Sequence, residues 1–127
     1  MGHELIEALD EQPASIETRR KIAYALLKSA NLNADLPNRV LDQHEAGFPD
    51  RDKTSMLWGE VEQAQFSYDN MRENFAAHLA AELFPEGLLL DGRLAGFFYE
   101  WSHALSLPEV EVTEILIRSL TTDGYEF

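Results

Sequence analysis

The chain has 127 residues, 45% of them apolar, no cysteine, and a formal charge of −13 from 23 acidic and 10 basic side chains. That length suits one domain able to bury about two thirds of the surface its unfolded form exposes. The absence of cysteine excludes a disulfide framework, a thiolate metal site and a cysteine nucleophile, and the negative excess argues against direct binding to nucleic acid or an anionic membrane.

A first short helix is predicted over residues 3–10, ended by Gln12 and Pro13. A second opens after Ser15, a good N-cap, with Glu17 in its first turn to meet the helix dipole. Its inward stripe is Ile22, Leu26 and Ala30, flanked by Ala25 and Leu27, and Asn31 to Asn33 end it. Asp35 and Pro37 start a third helix through Val40 and Leu41, which the loop Gly47-Phe48-Pro49-Asp50 closes.

The fourth segment, 54–84, repeats Leu57, Val61, Ala64, Tyr68, Met71, Phe75 and Leu79 at spacings of three and four, with no proline between them. The spacing predicts one continuous helix. At 1.5 Å per residue it would be ~46 Å long, against a radius of gyration of only ~14 Å for a compact domain of this size. Such a helix must bend, with Gly59 the natural place, or protrude and bury its stripe against a second copy.

After the stop at Phe84-Pro85-Glu86-Gly87, Asp91 opens a fifth helix with Leu94, Phe97, Phe98, Trp101 and Leu105 inward. Ser106-Leu107-Pro108-Glu109 has the form of a capping box for a sixth. Val110, Val112, Ile115 and Ile117 are β-branched and would suit a strand, but Leu116 and Leu120 fit helical spacing and Glu114 breaks the alternation, so helix is the reading. Residues 121–127 read as an irregular tail. The whole is an all-α, single compact domain of five to six helices, 1–127, built around the long helix 54–84. No leader and no apolar run of membrane-spanning length is read in it, which makes a cytoplasmic location the expectation.

Motifs for catalysis or cofactor binding are scarce. There is no nucleophile elbow, phosphate loop or dinucleotide fingerprint. Asp50-Arg51-Asp52 begins like a calcium loop, but Ser55 and Val61 stand where the turn glycine and the bidentate glutamate belong. Glu100 and His103 form one E-x-x-H pair, to which His78 and Glu82 could add ligands. A carboxylate-bridged di-iron site needs two such pairs and two further glutamates, so neither metal nor cofactor is expected. His44 and Glu45 have no nucleophile or oxyanion donor beside them and read as surface polar residues. The basic cluster Arg19, Arg20, Lys21 and Lys28 is expected to pair with the protein's own acids.

One pattern points outward. On a helical wheel the stripe of the fourth segment falls within about 40° of Leu57, while Phe66 falls about 180° away. Glu62, Asp69 and Glu73 surround Phe66 at about 120–160°. An aromatic anchor rimmed by charge is the anatomy of a binding hot spot. Glu62, Phe66, Asp69 and Glu73 are therefore the candidate partner-binding residues of a non-enzymatic acidic domain that docks on a basic surface of another protein. In composition the chain resembles toxin-immunity proteins, inhibitors of host defence and assembly chaperones, and a nucleic-acid mimic is one form of the same idea. The alternatives are a homo-oligomer whose dimer seam is the long helix, and a metal-dependent enzyme using Glu100, His103, His78 and Glu82.

Overall fold

The run Asn74-Phe75-Ala76-Ala77-His78-Leu79-Ala80-Ala81 sets the architecture. Alanines let helix axes approach closely, and a helix apolar on several faces must be covered on several faces. In the computed structural model, which describes residues 16–66, 70–84 and 94–122, this run is the central helix of a compact all-helical domain. Among the described residues there are six helices: α1 Ile16–Ala30, α2 Asp35–Glu45, α3 Arg51–Gln65, α4 Met71–Ala81, α5 Leu94–Ala104 and α6 Glu109–Thr122. Helix α4 packs against α1, α2, α3 and α5, and α6 lies against α1 and α5. None of these helices is long and apolar enough to cross a membrane.

The core follows the predicted stripes of the outer helices. Ile22, Leu26 and Leu27 of α1 are buried, as are Phe98 and Trp101 of α5 and Leu105 just after it. In α6 the spacing Val112, Ile115, Leu116, Leu120 puts all four inside, which a strand could not do, so helix wins over the β-branched preference. Two predicted details of α6 differ. Ser106 sits at φ +66° and ends α5, its N–H donating to the His103 carbonyl while the Leu107 N–H donates to Ser102. Thr121 and Thr122 extend α6 instead of beginning the tail. The helix predicted over 3–10, the cap at Ser15, the stop at 85–87, the cap at Asp91 and residues 123–127 lie outside the described residues, as do the side chains of Leu94 and Phe97.

The single helix over 54–84 is not what forms. Residues of that stretch belong to two helices, α3 and α4, which pack on each other more extensively than any other pair. Helix α3 begins early, because the Asp50 carboxylate accepts from the N–H groups of Asp52 and Lys53 and caps it. It ends at Gln65, with Phe66 as its C-cap. Asn70 is in an extended conformation and accepts the Glu73 N–H at 3.1 Å, opening α4. Asn74, one turn into α4 and only 4% exposed, reaches back to the end of α3. Its Nδ2 donates to the Gln65 carbonyl at 2.6 Å and to the Ala64 carbonyl at 3.4 Å. The last carbonyls of a helix have no partner within it, and here the next helix supplies one. The bend expected at Gly59 does not occur, since Gly59 lies inside α3. Leu57, Val61, Ala64 and Leu79 of the predicted stripe are buried within this chain.

Candidate docking tip and adjoining groove

Ending α3 at Phe66 and restarting at Asn70 places this junction at one end of the helix pair. Phe66 is 71% exposed and Met71 49% exposed. Both are apolar groups in water, and Met71 was expected in the core. Glu62 on the last turn of α3 and Glu73 on the first turn of α4 are exposed, and neither has an ion-pair partner among the described residues. Of the four predicted contact residues, Glu62, Phe66 and Glu73 therefore stand at the same end of the α3–α4 pair, and Asp69 lies outside the described residues.

Beside the tip runs a groove of about 930 Å³ that the sequence did not announce. It forms where the segment Leu32–Pro37, leading into α2, meets the adjacent ends of α3 and α4. Leu36, Pro37, Ala64 and Ala76 line it with apolar surface, and Asn33, Gln63, Asn70 and Glu73 add polar groups. Ala64, Asn70 and Glu73 thus belong to the groove and flank the tip in sequence.

A cation on the groove wall is already occupied. Arg39 Nε donates to Asp35 at 2.8 Å, and its two terminal nitrogens grip both oxygens of Glu60 at 2.8 Å each. This fork-on-fork geometry pins the guanidinium between α2 and α3. It also holds the Glu60 carboxyl below its usual range. The pair Asp35–Arg39 was legible at helical spacing; Glu60, 21 residues further on, was not.

The other sequence candidates find structural places. Lys28 pairs with Glu45 at 3.0 Å, and Arg20 donates to the Phe84 carbonyl at 3.1 Å. Arg19 and Arg20 both act electrostatically on Glu82, whose carboxyl burial nonetheless pushes up. His44 is half-buried between the rings of Tyr24 and Phe48, at 5.2 and 6.0 Å, and burial together with Arg20 lowers its basicity. It is not the surface residue expected.

His78 packs against Phe75 and Trp101, with Nδ1 2.9 Å from the Asn74 carbonyl. Glu100 and His103 are exposed, whereas Glu82 is 5% exposed. Among the described residues no three His, Asp or Glu side chains are grouped to hold a metal ion.

No known protein family matches the chain, and neither do the curated proteins or the solved structures compared with it.

Proposed function

We propose that this protein is a non-enzymatic binding module that docks on a basic surface of a partner protein, as inhibitors and immunity-type proteins do. Phe66 is the anchor, and Glu62 and Glu73 provide the charge around it. The observation that carries the reading is an aromatic ring 71% exposed on a strongly acidic chain, beside carboxylates with no ion-pair partner among the described residues. Large aromatics are usually well buried. One held in water by the end of a helix, with charge at its rim, suits a hot spot that becomes dry only in a complex. Where the basic surface of the partner is itself a nucleic-acid site, the carboxylates would stand in for phosphates.

The test is affinity capture from native lysate by the wild-type chain and by Phe66→Ala, at low and high salt. Phe66 is exposed, so the substitution should alter stability by no more than about 0.5 kcal/mol. Loss of a hot-spot aromatic costs about 2 kcal/mol or more, roughly thirtyfold in affinity. A partner retained by wild type and lost by Phe66→Ala, and released by salt, supports the reading. Equal capture by both proteins, or an unfolded variant, refutes it.

A further inference from the structure

We infer that the groove beside Phe66 receives an apolar side chain from the same partner, whose docking segment is therefore cationic and carries a residue of leucine or phenylalanine size. This rests on the docking reading and adds what the partner must present. The groove has the volume of a small-molecule site, at about 930 Å³. Two of its buried lining residues are alanines, Ala64 and Ala76, so part of the lining is apolar and shallow. It shares Ala64, Asn70 and Glu73 with the stretch that flanks Phe66, so one segment can meet the ring and enter the groove together.

Charge chooses among occupants. Arg39, a groove cation, is already bound by Asp35 and Glu60, and that trio keeps one net negative charge. On the α4 side the lining holds Arg72 and Glu73, and Glu62 stands outside it; neither glutamate has an ion-pair partner among the described residues. An anionic ligand would meet Asp35, Glu60 and Glu73, gain little from Arg39, which is already engaged, and have Arg72 alone to set against those three carboxylates. A second copy would bring a further −13 against this one and place like charges face to face. A lysine- or arginine-flanked apolar residue finds an apolar lining and, from Asp35, Glu60 and Glu73 set against Arg39 and Arg72, a net negative charge in the same place.

The probe is a 15-residue amphipathic helical peptide with leucines on one face and lysines on the other, titrated into the ¹⁵N-labelled full chain. A second peptide replaces every leucine by alanine at the same charge. The leucine peptide should shift the amides of residues 34–36, 64 and 76 together with those of Glu62, Phe66 and Glu73, and the alanine peptide should leave the groove amides unmoved. Gln63→Trp, an exposed wall residue that would fill the groove without touching the core, should weaken the leucine peptide at least tenfold while Tm stays near wild type. Ala34→Trp does the same from the opposite wall and guards against a folding defect in the first variant. Shifts confined to Glu62, Phe66 and Glu73, or wild-type affinity in both tryptophan variants, overturn the groove inference and leave the docking reading standing. No shift at either place defeats both.

Discussion

Asn74 holds the tip together, and its removal should be costly out of proportion to its size. The amide is 4% exposed and donates at 2.6 Å to the Gln65 carbonyl at the end of α3. Truncation to alanine loses a hydrogen bond of about 0.5–1.5 kcal/mol and strands a carbonyl at about 1–3 kcal/mol. A net loss of about 2–3 kcal/mol is expected, a large share of the roughly 5–15 kcal/mol that holds a small domain together. For a chain of this length it should lower Tm by about 10 °C. Asn74→Asp has nearly the same shape but no donor, and it sets a buried carboxylate against the Gln65 and Ala64 carbonyls, so it should cost more than alanine. Urea denaturation of the three proteins measures this ordering. Variants within about 0.5 kcal/mol of wild type, or an aspartate milder than alanine, would refute the capping role.

Other expectations test the fold and its ionisable groups. Gly59 lies inside α3 and a Cβ there would meet nothing within 4 Å, so Gly59→Ala should stabilise by about 0.5–1 kcal/mol in the same assay. The chain has no cysteine, so spin labels at Lys53→Cys and Ala81→Cys can be placed cleanly. Packed helices should hold them within about 20 Å, allowing ~10 Å between axes plus label arms, whereas an unbroken helix would put them ~42 Å apart. Burial raises the Glu82 carboxyl, so the folded chain keeps a proton that the unfolded chain has lost. The stability this group lends is complete below the ordinary carboxylate range of about 4.3 and fades as pH rises through the folded value. Glu82→Gln should therefore flatten that decline in urea midpoints taken between about pH 4 and 7. His44 runs the other way, because its lowered basicity makes stability fall as pH drops below about 6.5. His44→Gln should remove that fall.

Local pattern carried much of the fold. The spacing of Ile22, Leu26 and Leu27 and of Val112, Ile115, Leu116 and Leu120 defines faces that are buried as read. The long helix failed because Leu57, Val61 and Ala64 in α3 and Phe75 and Leu79 in α4 fall in phase across a break, and periodicity alone cannot register a restart that preserves phase. The signal was present in Asn70 followed three residues later by Glu73, the signature of a helix start. Phe66 is exposed, though as the cap of α3 rather than as the outer face of a continuous helix. The groove was not legible, because it exists only where the start of α2 meets the ends of α3 and α4, and no spacing along one element encodes that meeting.

The role of the carboxylates is tested most directly by association kinetics with the partner captured by the wild-type chain. Glu62→Lys/Glu73→Lys should slow association about tenfold or more at low salt, leave dissociation little changed, and lose most of its difference from wild type at high salt, because rim charges steer encounter. An association rate equal to wild type at low salt would contradict the account.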